Sequence, residues 1–284
     1  LRNSSIVWNC SYAVACIKEK RMSVKRIEII GVPVDVCPIE ELEGEILELL
    51  AKPGTKQIIF LSVWDLLKGR RRTDFAECLK NADLILPVSK SILNAAKFLK
   101  LPVPVRYNQF HAMINFISIL ENHFKSLYLL GGYKKQLQVA EKNVRSTFPN
   151  LQIVGRYVGN YPEKVESDVV QAIYKASPSL VLVSNGIKEK NLWSFHRRNL
   201  FSSSIFLYYK DSIGILSERV KRVNDSIFDK GLEVFSEVLH NPLKIFLIFP
   251  FIHFLLLVLV SRIKNKSRKT DTVRDNSENK ENQE

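Results

Sequence analysis

Hydrophobic positions recur along the chain in short blocks separated by polar stretches of helical spacing. Leu127-Tyr128-Leu129-Leu130 is an apolar run stopped by Gly131-Gly132. From Tyr133 to Ser146 the apolar residues Leu137, Ala140 and Val144 keep a helical period. Pro149-Asn150 breaks that helix, and Ile153-Val154 starts a second buried strand closed by Gly155. The pattern predicts a strand–helix–strand unit with a Gly-Gly turn at the carboxyl end of its first strand. In open parallel sheets ligands sit beyond those ends. Glycines there let a ligand approach the backbone, and the helix N-terminus that follows favours anions. The unit therefore points to a nucleotide or phosphate, and equally to a tight turn of any α/β fold.

The same alternation extends in both directions. Strands are expected at Ile27–Ile30, Gln57–Leu61, Asp83–Leu86, Leu180–Val183 and Ile205–Tyr208. Between them lie helical patterns opened by Pro38 and Pro162, a helix over Ser91–Leu99, and another over Phe110–Phe124. Shorter helical turns are expected around Leu66-Leu67 and Phe75–Leu79, beside the basic run Arg70-Arg71-Arg72. Strands alternating with helices predict a Rossmann-like α/β domain over residues 23–240, its sheet mostly parallel and covered by helices on both faces.

The ends of the chain read differently. Residues 1–22 form an N-terminal extension outside the fold. Translation from Met22 is the first reading and a signal or lipid-anchor segment the second. Gly231–Leu239 reads as an amphipathic helix stopped by Pro242. Residues 241–263 form a hydrophobic, membrane-associating segment in which Ile245 to Val260 has only His253 as a polar residue. At ~1.5 Å per residue the apolar run covers roughly 24 Å, short of a ~30 Å hydrocarbon core. Pro250 is expected to break its first half. Residues 264–284 form a basic, then polar, tail expected to be disordered.

Charge narrows the partners. The net charge of +13 over 284 residues suits an anionic membrane surface, nucleic acid or phosphate-bearing substrates. Nucleic acid drops out because the sequence carries no helix-turn-helix, zinc or RNA-binding signature. Cys10, Cys16, Cys37 and Cys78 show neither metal-ligand spacing nor a disulfide framework, which fits a reducing compartment.

The stretch from Leu129 to Tyr161, with its Leu-Leu-Gly-Gly turn, Ala140-Glu141 helix, Phe148-Pro149-Asn150-Leu151 corner, Ile153-Val154-Gly155 strand and Gly159/Tyr161 close, resembles the WecG/TagA/CpsF family of bacterial glycosyltransferases. The resemblance runs from about Ile27 to Pro242. It implies transfer of an N-acetylmannosamine-type sugar from a UDP-sugar donor to a polyprenyl-diphosphate-linked acceptor, in cell-envelope polysaccharide synthesis. It also implies the cytoplasmic face of the cell membrane as the place of work. The family pattern calls for no cofactor or metal, and an oligomer is compatible with it.

Carried over residue by residue, the resemblance assigns donor or phosphate contact to Arg106, Gly131, Gly132, Gly186, Lys190 and Arg222. The polar reactive positions have changed. The family's carboxylate after the strand-ending Pro is here Val88, its Asn after the second strand is Ser62, and its later Asp is His111. The Pro-Lys-Gln-Glu of the donor motif is Lys188-Glu189-Lys190-Asn191, and a late Asp is Gly214. Inverting transfer needs a carboxylate or equivalent base and cations or donors for the leaving diphosphate. His111, Asp65 and Asp211 are candidate replacement bases, with Ser62 beside them. The alternative is a degenerate member that binds a nucleotide sugar or acts as a scaffold. Membrane contact is assigned to Ile245, Phe249, Phe251, Leu256 and Arg262, and the basic tail is placed on the cytoplasmic side.

Overall fold

Short runs of Ile, Leu, Val and Phe bounded by Pro, Gly and Ser are what a sheet buried on both faces requires. In the computed structural model, which describes residues 24–221 and 248–281 with side chains placed to residue 264, those runs form one parallel sheet. Its strands are β3 (Lys56–Leu61), β4 (Leu84–Pro87), β5 (Ser126–Leu130), β6 (Gln152–Tyr157), β7 (Leu180–Val183) and β8 (Ile205–Tyr208). The spatial order is β4-β3-β8-β7-β5-β6, and every neighbouring pair is parallel.

Period-2 alternation sends successive residues of each strand into two cores. Ile58, Phe60, Leu127, Leu129, Leu182 and Leu207 face one side. There they meet α1 (Leu42–Ala51), α5 (Gln109–Asn122) and α6 (Lys134–Thr147). Ile59, Leu61 and Ile85 face the other side with α2 (Val63–Gly69), α3 (Asp74–Asn81) and α4 (Lys90–Phe98). Further along that face, Leu130, Val181 and Phe206 pack with α7 (Glu166–Ala176) and α8 (Asn191–His196). A short α9 (Ser212–Leu216) returns from β8 to lie against α6.

The expected first strand is in place but belongs elsewhere. β1 (Lys25–Ile29) pairs antiparallel with β2 (Val32–Val36) in a separate two-stranded sheet. The turn between them uses left-handed conformations at Ile30 (φ 47) and Gly31 (φ 81), the backbone demanded by a two-residue hairpin loop. Pro33 makes β2 look like a loop in the sequence, yet it pairs with Glu28 at a sheet edge, where proline is tolerated. Asp35, only 1% exposed, holds the hairpin to the main sheet. It accepts hydrogen bonds from Arg26 Nε (2.7 Å), Arg26 Nη2 (2.8 Å) and the backbone N–H of Ile85 in β4 (2.7 Å).

β6 also differs from expectation. It is an edge strand with an alternating pattern, so Val154 is exposed, and it continues through Gly155 to Tyr157. Gly155 does not end the strand. It makes room for the ring of Tyr128, whose Cε2 would lie 2.4 Å from an added Cβ.

The C-terminal helix α10 runs Ile248–Glu281, through the stretch expected to be disordered. Pro250 lies within the described helix, which continues past it without a break. Phe254 and Val258 are buried in the core shared with α2 and the hairpin, and Phe251 packs against the same cluster. Phe249, Ile252, Leu255, Leu256, Leu259 and Ile263 remain exposed. Among the described residues, no helix is long and apolar enough to cross a membrane. Residues 1–22, Gly231–Leu239 and Ile245 lie outside the described residues.

Candidate functional site

The chain leaves β5 for β6 on one side and β7 for β8 on the other. Connections that diverge in this way open a crevice at the carboxyl edge of the sheet. Gly131 and Gly132 sit at that edge, directly after β5. Both have positive φ, +117° and +66°. What packs against them is the protein itself. A Cβ on Gly131 would lie 2.8 Å from the carbonyl oxygen of Asn185, and one on Gly132 would lie 2.7 Å from Cγ2 of Ile213. Gly132 N–H donates to Asn185 O (2.8 Å) and Gly159 N–H donates to Gly132 O (2.9 Å). Asn160 N–H in turn donates to Gly186 O (2.8 Å). Four glycines thus knit three strand-end loops together.

The open space lies one strand over. A cleft of about 560 Å³ is walled by the ends of β3, β4 and β8 and by the loop after β7. It brings together Ser62 and Lys190 with Asp65 and Asp211, which lie far apart in the sequence. Val88, at the mouth of β4, faces the same space, as do Lys68, Gln109, Glu189, Tyr208 and Lys210.

Ser62 caps α2. Its Oγ accepts from Asp65 N–H (3.2 Å) and donates to Asp65 Oδ2 (2.6 Å). The ends of β3 and β4 are pinned to each other by Val88 N–H to Leu61 O (3.0 Å) and Val63 N–H to Ser89 Oγ (3.1 Å). Burial pushes the Tyr208 hydroxyl up to about 12, and the nearby carboxylates of Asp211 and Asp65 add to the shift. Burial and then Asp211 raise Tyr209 to about 12 as well. Both phenols are therefore neutral donors at neutral pH.

Lys190 has φ 54 and ψ −122, a conformation that a non-glycine residue keeps only where the surroundings impose it. The surroundings are a polar latch behind it. Arg197 Nη1 and Nη2 donate to both Glu189 oxygens (2.8 and 3.2 Å), and Arg197 also pairs with Glu166 (2.5 Å). The buried Trp193 donates from Nε1 to Glu166 Oε1 (2.8 Å) and to Tyr161 Oη (2.9 Å). The hydrogen bonds from Arg197 hold the Glu189 carboxyl below its ordinary value. Gly186 lines a smaller pocket of about 270 Å³ on the latch side.

The remaining assigned residues lie around this centre. Arg106 donates from Nε to Val88 O (2.8 Å) and so braces the cleft wall. His111 is exposed on α5 beside Phe110 and is not among the cleft-lining residues. Arg222 lies outside the described residues. Among the described residues, no group of three or more His, Cys, Asp or Glu is gathered as a metal site requires. Sequence reasoning missed the latch of Tyr161, Glu166, Trp193 and Arg197. Glu189 and Arg197 flank α8 instead of lying within it, so no helical spacing in the sequence marks the pair.

Two comparisons with known proteins bear on this arrangement. The chain is 21% identical over 169 residues to the N-acetylglucosaminyldiphosphoundecaprenol N-acetyl-beta-D-mannosaminyltransferase of Bacillus subtilis (strain 168). The match covers 60% of this chain and 65% of that relative, just under two thirds of its length. The profile of the glycosyl transferase WecG/TagA/CpsF family matches residues 27–268, which contain the sheet, the cleft and the start of α10. The chain belongs to the WecG/TagA/CpsF family of glycosyltransferases.

Proposed function

We propose that the protein transfers an N-acetylmannosamine-type sugar from a UDP-sugar to a polyprenyl-diphosphate-linked acceptor at the cytoplasmic face of the cell membrane. The observation that carries this reading is the cleft at the carboxyl edge of β3, β4 and β8. It holds both kinds of group that the reaction needs: the ammonium groups of Lys68, Lys190 and Lys210, and the carboxylates of Asp65 and Asp211. Cations at a developing diphosphate charge lower the barrier for its departure. Neutral Tyr208 and Tyr209 supply hydroxyl donors. The family and the relative's named reaction agree with such a site.

Membrane attachment is part of the proposal. α10 buries Phe254 and Val258 on the domain and leaves a broad apolar surface exposed. Exposed Arg70, Arg71 and Arg72 follow α2, the helix on which α10 packs. Exposed apolar side chains on one helix and exposed basic ones following the helix it packs on fit an anionic lipid surface. Arg262 stacks over Phe98 at 5.1 Å and donates to its carbonyl, fixing the helix to α4.

Val88 favours a second reading, a member that binds donor without turning it over, because it offers no proton acceptor at the mouth of β4. One experiment separates the two. The full-length protein is titrated with UDP and UDP-N-acetylhexosamines by calorimetry and then assayed for transfer to a lipid-diphosphate acceptor. Binding with transfer is expected. Binding without transfer would establish the second reading, and no binding would refute both. Co-sedimentation with anionic but not zwitterionic vesicles is expected, and its absence would refute the attachment.

A further inference from the structure

Three carboxylates line the cleft, and their surroundings differ. Glu189 is spent on structure: both of its oxygens are engaged by Arg197, and His196 Nδ1 lies 3.0 Å away. Asp211 stands at the N-cap of the five-residue α9 and makes no side-chain cap hydrogen bond. Asp65 is built differently. It sits on the first turn of α2, and α2 starts directly at the end of β3. Ser62, at the helix start, fixes one of its oxygens through the 2.6 Å hydrogen bond to Oδ2. The Ser62 backbone carbonyl accepts from Leu66 N–H (2.9 Å), and Val63 N–H is tied to Ser89. Oδ1 makes no hydrogen bond to any described residue. A carboxylate with one oxygen anchored, one open, and a rigid support beneath it is the arrangement a general base requires.

We propose that Asp65 is the general base for the attacking acceptor hydroxyl and that Ser62 is its positioning residue. This rests on the transfer reading given above. The acceptor O–H proton passes to Asp65 Oδ1, and the acceptor oxygen forms a bond to the anomeric carbon of the donor. The bond from that carbon to the diphosphate oxygen breaks, and its electron pair leaves with UDP. The added negative charge faces Lys68, Lys190 and Lys210, which line the same cleft. The two charged sets therefore have separate tasks: the carboxylate acts on the acceptor and the lysines on the leaving group.

Asp65→Asn keeps the size of the side chain and an oxygen for the Ser62 hydroxyl. It is expected to lower kcat by about 100-fold or more while UDP binding measured by calorimetry stays unchanged. Ser62→Ala is expected to lower kcat with the donor KM unchanged, and Ser62→Thr to restore it. A purely helix-capping role would shift stability and leave that split unmoved. If Asp65→Asn does not fold, the Ser62→Ala and Ser62→Thr pair decides the matter. Unchanged kcat in Asp65→Asn or in Ser62→Ala overturns the assignment. So does a loss confined to Asp211→Asn. No transfer by the unmodified protein overturns the transfer reading and the base together. Transfer that survives Asp65→Asn overturns the base alone.

Discussion

Gly131→Ala tests whether the Gly-Gly turn is there to join loops or to admit a ligand. The added methyl would lie 2.8 Å from Asn185 O, 3.0 Å from the Ser184 carbonyl carbon and 3.1 Å from Ser184 Cβ. Two of these atoms are backbone and cannot swing aside. The φ of +117° is also a conformation that an L side chain rarely adopts. Backbone strain of this kind costs about 1–3 kcal/mol, and overpacking a fixed site typically costs about 1–3 kcal/mol. For a domain of this size each kcal/mol lowers Tm by roughly 2–4 °C, so a fall of about 5–20 °C is expected. Gly132→Ala meets only the Ile213 side chain and has φ +66°, so it should cost less. Gly44→Ala is the control. It lies in α1 with nothing within 4 Å of the new Cβ, and it should stabilise by up to about 1 kcal/mol. Thermal unfolding followed by far-UV circular dichroism gives the order. An unchanged Tm for Gly131→Ala together with lost UDP binding would refute the loop-joining argument and leave ligand contact as the reason for the glycine.

Two further outcomes follow from the polar interior. Asp35→Ala strands Arg26 and the buried N–H of Ile85; a lost buried acceptor costs about 1–3 kcal/mol and a broken ion pair more, so a loss of about 2–4 kcal/mol in urea unfolding is expected, and a loss below about 1 kcal/mol would show that water replaces the carboxylate. Glu189 is held below its ordinary value of 4.5, first by its hydrogen bonds from Arg197. A depressed carboxyl contributes stability above its unfolded value and loses it as pH falls through the folded one. The urea midpoint of Glu189→Gln should therefore lie below that of the unmodified protein at neutral pH, and the gap should narrow as the pH falls below the ordinary carboxyl value and through the lower folded one; a gap that persists in acid would mean that the latch is held by something other than the charge.

The sheet was legible because its signal is dense. Leu84-Ile85-Leu86, Leu127–Leu130 and Leu180–Val183 are short runs apolar on both faces and bounded by turn residues, as parallel strands buried on both sides are. β2 was not legible, since Val32-Pro33-Val34-Asp35 carries a proline and a carboxylate that read as a turn. Its antiparallel ladder with β1 makes it a strand, and the contact of Asp35 with Ile85 in β4, distant in sequence, ties that hairpin to the main sheet. The site was half legible. Ser62, Lys190, Asp65 and Asp211 were individually visible, but nothing in their spacing says that Asp211 lies across a cleft from Asp65. That follows from β8 inserting next to β3, and insertion order is a long-range property that local patterning does not encode. The glycine pair was placed at the correct edge, while the neighbour that needs its missing side chains, Asn185, became visible only in the fold.

α2 is the element through which the proposed surface attachment and the proposed chemistry meet. Its first turn presents Ser62 and Asp65 to the cleft, and Lys68 follows. Its Val63 and Leu66 lie in the core that also takes Phe254 and Val258 of α10. A helix of seven residues cannot move one face without the other. Phe254→Ala removes a fully buried ring from that contact, a change that typically costs about 3–5 kcal/mol when the site cannot collapse. Here the loss falls on the docking of α10, so the sheet should keep its far-UV spectrum and its UDP binding. The exposed apolar side chains of α10 remain, so binding to anionic vesicles should persist. The hold of the domain on the anchored helix should weaken. Transfer to an acceptor embedded in vesicles should therefore fall, while transfer to a short-chain acceptor free in solution should fall less. Equal losses on the two acceptors would mean that Phe254 serves only the stability of the core and that α10 does not orient the cleft toward the lipid surface.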